Sequence, residues 1–578
     1  MVLFIVETIA LLGAAVAIRR DFQDSWILEG LEFPVIALSI TFVIYVFAED
    51  KVAWIMVFAL IYRLALVSLP GLKYVWFQGV AIDQHSHYQL TRSIFDEGYI
   101  PTGRTYSGTP LLHLSFAIYS MVTNVSLLNS FKFLEIIYWL SYPLMTYAFM
   151  KRIGPFKSPL PLKFAIVLSS IPVKSVLSYL VTGTTFGVLL VFLFLTQFTK
   201  LLQKNNRREW VIVVTLGFIL AMTHVYSSLM LMITLLSTFL VIVPLLNKFL
   251  AKPLELRQNV HATAVASTII IILLANFAWY TNQTTFTVEK GAELVILYFD
   301  KIKGVTIVSK ELVPQRFFAI GFLDQLRVIL VFYGATILLM ILTIIGVVIA
   351  IKKLRTQLQS GLIFLSLFLI SLWAILLIQF LSGFSGLEFG RILMSSLIFS
   401  PIFSAIAISY VKKARAKKLI TLLIPLLMIL ATIELYGFQP LIPMYGRTGE
   451  PLTYLGNVNS VYQRYMIKHA ERYIQGGLIA CDRVTTNQII GLTSYNFSDN
   501  HLAWYYPFSR LLYKNATEKE YDYFLIHLPG KSGPLSEKAE IRTRSLIIES
   551  VYNSSVLYSN GESYVLSKPF MYSNSSLT

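Results

Sequence analysis

The chain has 578 residues, of which 56% are hydrophobic and only 14% charged, against about 25% charged in ordinary globular domains. That leaves too little polar surface to cover a soluble protein of this size, so most of the chain must be solvated by lipid and a cytosolic protein is excluded. The net charge of +17 is uneven, since residues 1–436 carry 35 Lys and Arg against 20 Asp and Glu while residues 437–578 carry 13 against 11. The excess cations lie between apolar runs, where they act as topology signals, so no nucleic-acid role is assigned.

The first residues, MVLFIVETIALLGAAVAIRR, lack the positive n-region and cleavage site of a secretory signal and read as a retained first span. About thirteen stretches approach the roughly 20 apolar residues that a membrane helix needs. They fall near 2–18, 31–48, 52–69, 131–150, 160–180, 183–199, 209–225, 228–247, 262–281, 327–351, 360–381, 391–411 and 418–436. Five short basic loops, beginning at 151, 199, 247, 352 and 411, are placed in the cytoplasm by the positive-inside rule. The outward set is then residues 70–130, the turns near 181 and 226, residues 282–325 and 382–390, and everything after 436. All six N-x-Ser/Thr sequons, at Asn124, Asn282, Asn496, Asn515, Asn553 and Asn574, fall on that outward set. Arg19 and Arg20 conflict with it. A rival topology removes the conflict by letting Pro110–Val125 span and turning residues 70–109 to the cytoplasm, but that stretch is short and carries His113, which suits an interfacial helix better.

The tail after residue 436 reads as a small α/β domain. A helix is expected near 453–475, strands at LIACD (478) and YFLIHL (523), and a hairpin turning at Asn560-Gly561. The single cysteine, Cys481, rules out an intrachain disulfide framework. The expected fold is an α-helical, multi-pass cell-membrane protein with an extracytoplasmic α/β domain at its C-terminus, divided into 1–436 and 437–578.

The most distinctive polar stretch is the first outer loop, where Asp83, His85 and His87 cluster. At strand spacing the three would project to one side, suiting a divalent cation such as Mg or Mn, or a carboxylate base assisted by imidazoles. The bland alternative is a hydrated polar loop. Asp96 and Glu97 follow in SIFDEGYIP, which reads as a helix ending at Gly98; they offer a second carboxylate or a solvated helix end. Glu388 and Arg391 stand at the outer mouth of a late apolar run. Arg391 there is either snorkelling or a phosphate clamp. The outer loop 282–325, with five acids and five bases, suits a mobile lid. His224, near an outer turn, either faces a cavity or bonds a backbone carbonyl. No Walker A motif, Rossmann glycine fingerprint or zinc-spaced Cys/His set occurs.

On these residues the chain resembles the GT-C superfamily of membrane glycosyltransferases, which includes protein mannosyltransferases, aminoarabinose transferases and the catalytic subunit of oligosaccharyltransferase. DQHSHYQLTRSIFDEGYIP followed by YSGTPLLHLSFAIY resembles that superfamily's first outer loop, and GRILMSSLIFSPIF resembles its Arg-containing late span. The resemblance implies that Asp83 is the catalytic carboxylate and that Arg391 contacts the donor phosphate. It further implies a polyprenyl-phosphate-linked sugar donor, a glycan, lipid or protein acceptor, and surrounding membrane lipids as partners. The paired acids of the family's first loop are replaced by Asp83-Gln84-His85, which puts metal dependence in question, and AWYYPFS at 503 is no substitute for the WWDYG signature of oligosaccharyltransferases. The sequons and lone cysteine would suit an archaeal surface protein. Two readings from other classes stay open: a transporter or flippase for lipid-linked glycans, and a non-catalytic sugar-binding membrane protein.

Overall fold

The computed structural model describes residues 2–17, 31–73, 82–100, 108–153, 159–171, 183–204, 206–244, 262–283, 322–353, 360–381, 392–393, 395–410 and 423–431. In the tail it describes residues 469 and 472–473 and five strands. The chain divides into two compact units. One comprises Met1–Ile18, Leu28–Leu72 and Leu90–Ile442; the other comprises Arg19–Ile27, Lys73–Gln89 and Pro443–Thr578.

The first unit is helical. In chain order it holds α1 (Val2–Ala17), α2 (Glu32–Ala48), α3 (Val52–Lys73), α4 (Ile82–Glu97, shared with the second unit), α5 (Leu111–Thr123), α6 (Leu127–Ile153) and α7 (Leu160–Ser170). These are followed by α8 (Gly183–Lys204), α9 (Arg207–Thr223), α10 (Val225–Ser237), α11 (Ala262–Gln283), α12 (Phe322–Lys353), α13 (Ser360–Leu381) and α14 (Ser400–Ser409). Each of the thirteen expected stretches coincides with helix for at least part of its length, the last over 423–431. Among the described residues four helices are long and apolar enough to cross a membrane: Val52–Leu69, Thr185–Leu202, Tyr333–Lys352 and Gly361–Ile378. Seven shorter apolar helices of 10–17 residues accompany them, so the chain is a helical membrane protein. Apolar residues form exposed stripes of the kind that lipid can cover. On α12, Tyr333, Ile337, Ile341, Ile344 and Val348 recur at helical spacing and are exposed, while Ala335, Leu339 and Leu342 are buried.

Stacked and tilted rings bind the interior. Phe192 of α8 meets Phe149 of α6 at 5.7 Å and Phe399, just before α14, at 5.2 Å; Phe198 of α8 meets Phe364 of α13 at 5.2 Å. Hydroxyl pairs join helices between the rings: Ser39 with Tyr62 at 2.8 Å, Thr238 with Ser371 at 2.9 Å, and Thr343 with Ser404 at 3.3 Å. Each pair links positions that the charge-derived spans put at matching depth. At one end of the bundle Lys163 donates to the Glu49 carbonyl at 2.6 Å and to the Asp50 carboxylate at 3.1 Å. At the other, the Trp279 indole donates to the Gly108 carbonyl at 2.7 Å. Residue 108 and the start of the 282–325 loop therefore share an end, which is incompatible with the rival topology.

Two expected spans contain a break that the sequence did not suggest. α7 stops at Ser170, about 16 Å from its start, because Pro172 forces Ile171 into an extended conformation (φ −67°, ψ 129°). α14 starts only at Ser400, after a turn at 398–399, because Pro401 is favoured in a first helical turn and disrupts a helix interior. The two packed remnants expose backbone carbonyls inside the bundle, and side chains satisfy them. Tyr142 of α6 donates its hydroxyl to the Ile398 carbonyl at 2.7 Å. Arg63 of α3 donates Nη1 to the Ser169 carbonyl and Nε to the Trp139 carbonyl, each at 2.8 Å. Trp139 needs that donor, since Pro143, four residues on, has no N–H to give it.

The second unit contains a five-stranded sheet in the order β2-β1-β3-β5-β4, where β1 is Ile479–Asp482, β2 Leu502–Tyr505, β3 Tyr523–His527, β4 Ser555–Ser559 and β5 Ser563–Ser567. β2, β1 and β3 are parallel, while β5 runs antiparallel to β3 and β4. The expected strands at 478 and 523 and the expected hairpin are present. β2 was not expected as a strand. The expected helix at 453–475 lies outside the described residues apart from helical turns at 469 and 472–473.

Candidate functional site

The polar segment after α3 is helical, and this corrects the strand spacing that put Asp83, His85 and His87 on one side. α4 runs without a break from Ile82 to Glu97, and at 3.6 residues per turn positions 83 and 87 fall one above the other while position 85 falls on the opposite face. His87 is 2% exposed and lies on the face that also buries Leu90, Thr91 and Ile94. Position 85 shares its face with Arg92 and Asp96, which are exposed and joined by an ion pair at 3.4 Å. The cluster is therefore split into a pair, Asp83 with His87, and a separate His85. An i,i+4 carboxylate and imidazole can orient one another or chelate one cation from a single helical face. The side chains of Asp83 and His85 lie outside the described residues, and among the described residues no group of three or more His, Cys, Asp or Glu is close enough to hold a metal ion.

The end of α4 has the geometry the sequence implied. Gly98 adopts φ +75° and its N–H bonds the Ile94 carbonyl at 3.0 Å, closing the helix in a left-handed cap. Asp96 and Glu97 are exposed there, as expected of a solvated helix end. α4 then packs onto α5 through Leu90, Ile94 and Ala117, with Phe95, Ile100 and Leu114 around them. α5 is 13 residues long, about 20 Å, too short to cross a roughly 30 Å hydrocarbon core. It shows exposed Ile118, Met121 and Val122 on one side and buried His113 and Phe116 on the other, so it is an amphipathic element held by the bundle. Its turn into α6 requires φ +56° at Asn124, a conformation asparagine tolerates.

His224 does not simply bond a carbonyl. It caps α10: Nδ1 accepts the Ser227 N–H at 3.2 Å and lies 2.8 Å from the Ser227 hydroxyl. A ring nitrogen accepting a backbone N–H carries no proton, so any proton sits on Nε2. The cap presses on α8, where a β-carbon at Gly187 would meet Ser227 Oγ at 2.6 Å. Glu388, Arg391 and most of the 282–325 loop lie outside the described residues. Sequence reasoning missed Arg63, which is 3% exposed in the middle of α3 with its guanidinium 5.2 Å from the Trp139 ring and 5.5 Å from the Tyr142 ring. Its signal was present as a lone cation inside the apolar run IYRLALV.

No model of a known protein family and no curated protein matches this chain.

Proposed function

We propose that the chain is a membrane glycosyltransferase of the GT-C kind, moving a sugar from a polyprenyl-phosphate-linked donor to an acceptor hydroxyl on the extracytoplasmic side. One observation carries the reading: α4 follows the α3 span and sets Asp83 in register with the buried His87, where a carboxylate base with an imidazole to orient it is wanted at a lipid interface. In the proposed step Asp83 takes the proton from the acceptor hydroxyl. The hydroxyl oxygen bonds to the anomeric carbon as the bond from that carbon to the phosphate oxygen breaks, inverting the anomer. The polyprenyl phosphate departs as an anion, with Arg391 as its partner. The shared end of Gly108 and Trp279 supports placing loops 70–130 and 282–325 on one, outward, side. We further assign to this reading about thirteen spans and an outward α/β tail.

Replacing Asp83 with Asn removes the base and should cut transfer from a labelled polyprenyl-phosphate sugar by about 100-fold or more. Undiminished turnover of that variant in membranes would eliminate the assignment. His87→Ala should lower turnover while His85→Ala leaves it near wild type, an ordering the strand geometry would not produce. Arg391→Ala should raise the donor concentration needed.

A second reading, a transporter or flippase for a lipid-linked glycan, is favoured by a different observation. α7 ends at Ser170 and α14 begins at Ser400 inside the expected spans, with Arg63 bonding the Ser169 carbonyl and Tyr142 the Ile398 carbonyl, and discontinuous helices line substrate sites in transporters. Movement of the labelled donor across the membrane without product would favour that reading.

A further inference from the structure

The turn between α5 and α6 carries an acceptor sequence in the open. Thr123 ends α5, Leu127 begins α6, and the intervening Asn124-Val125-Ser126 is an N-x-Ser/Thr sequon. Asn124 and Ser126 are both exposed. Asn124 adopts φ +56° and is the one non-glycine residue with a positive φ among the described residues, so the chain reverses at this position. Other groups hold the turn. The Ser120 hydroxyl donates to the Val125 carbonyl at 2.7 Å, the Thr123 hydroxyl donates to the Tyr119 carbonyl at 2.6 Å, and the Asn129 N–H donates to the Ser126 hydroxyl oxygen at 3.4 Å. Among the described residues no hydrogen bond engages the Asn124 side-chain amide, so its nitrogen can react without loss of a contact that the fold uses.

Helix length sets the turn clear of lipid. α6 has 27 residues and measures about 40 Å, about 10 Å more than the hydrocarbon core. Lys151 and Arg152 in its last turn fix that end at the inner edge of the membrane, so the surplus lies at the outer end. The headgroup layer is only about 5–8 Å thick, and Asn124 precedes the start of α6. The sequon at Asn282 differs, since that residue belongs to the last turn of α11 and its backbone is committed to a helix. The remaining four sequons lie outside the described residues.

We propose that Asn124 is an N-glycosylation site, modified from the outer side by a transferase that acts on this chain. In that reaction the Asn124 amide nitrogen bonds to the anomeric carbon of a lipid-linked oligosaccharide as the bond from that carbon to the carrier's phosphate oxygen breaks. The amide gives up one proton and the lipid phosphate leaves as an anion. The hydroxyl of Ser126, two residues on, completes the acceptor pattern. The site rests on the outward placement of residues 70–130 argued above and on no step of the Asp83 chemistry.

The test is mass spectrometry of the full-length protein taken from its own cell membranes. Trypsin releases residues 105–132, which contain this sequon and no other. In wild type that peptide should carry a glycan. Asn124→Asp and Asn124→Gly, both suited to the left-handed conformation, should abolish it, as should Ser126→Ala. Ser126→Thr should retain it, and Asn129→Gln, beside the sequon but outside it, should leave it unchanged. A bare wild-type peptide, or a glycan that survives Asn124→Asp or Ser126→Ala, would overturn the site. A membrane-impermeant maleimide applied to Asn124→Cys, with Cys481→Ser, separates the two ways of failing. External labelling together with a bare wild-type peptide overturns the modification alone, whereas labelling only after the membrane is opened overturns the outward placement with it.

Discussion

Arg63 shows how a buried charge is retained among apolar helices. A guanidinium in a span is costly unless polar partners surround it, and here two carbonyls that helix geometry leaves open accept from it, one beside Pro143 and one at the end of α7. Arginine and proline are thus coupled. Arg63→Met should destabilise the protein by about 1–3 kcal/mol by leaving those carbonyls unmet. In a Pro143→Ala background residue 143 regains an N–H for Trp139, and the same substitution should cost about 1 kcal/mol less. Unfolding of the four variants in micelles measures the difference; strict additivity would separate the two residues. The prolines mark the open carbonyls in the sequence, but their donor is not legible there, because Arg63 reaches them only through the tertiary placement of α3 beside α6 and α7. Glu49 gives a second residue-scale expectation. The Lys51 backbone N–H, at 2.9 Å, is the main reason its carboxyl is held below the usual carboxylate value, with the Tyr45 hydroxyl adding to it. A lowered folded-state value stabilises above the unfolded value of about 4.3 and is lost as pH falls through the folded one. The melting temperature of wild type should therefore exceed that of Glu49→Gln at neutral pH, and the gap should close on acidification. A constant gap from neutral to acidic pH would contradict the assigned hydrogen bond.

Elements were legible where one pattern dominated. The apolar runs gave helices at each expected place, and Asn560-Gly561 between alternating segments announced the hairpin that forms as β4 and β5. They failed where two patterns compete. The alternation D-Q-H-S-H has strand period, yet the longer series His87, Leu90, Thr91, Ile94 has helical period, and burial of that series decides the segment. β2 was overlooked because its four residues are recognisable as a strand only through pairing with β1. The ends of α7 and α14 were misjudged because hydropathy counts residues and ignores Pro172 and Pro401. The packing of α12 on α14 rests on another cue that hydropathy ignores, a glycine in a long apolar helix. A β-carbon at Gly346 would fall on the backbone carbonyl of Phe403, so the two helix backbones are in direct contact there. Thr343, one turn before Gly346, and Ser404, next to Phe403, reinforce the contact. Gly346→Val should force the helices apart and lower the melting temperature sharply, whereas Gly13→Ala, with open space around its β-carbon, should leave it unchanged or slightly raised. Equal behaviour of the two variants would rule out the close crossing.

For the molecule as a whole, charge between the spans and hydrogen bonds between the helices are independent sources of the same topology. The positive-inside rule uses only loop composition. The Lys163 bonds to Glu49 and Asp50 and the Trp279 bond to Gly108 use only packing. Both put the 49–51 turn with the start of α7, and residues 108 and 279 together at the other end. The candidate site was legible as a place, because polarity after a span is conspicuous, but the pairing inside it was not, because that depends on helix register. Sidedness decides whether the Asp83 helix can meet a donor on the outer leaflet, and it can be measured. With Cys481 replaced by Ser, single cysteines at Asn124, Asp50 and Arg152, all exposed positions, report their compartment through a membrane-impermeant maleimide on intact cells. Asn124→Cys should label directly, while Asp50→Cys and Arg152→Cys should label only after the membrane is opened. Labelling of Asp50→Cys and Asn124→Cys on the same side would require an even number of crossings between α2 and the α5–α6 turn. The α3 span would then have to be undone by a second crossing before Asn124, which the 20 Å length of α5 and the Gly108 bond both oppose, so that outcome would defeat the outward placement of the site.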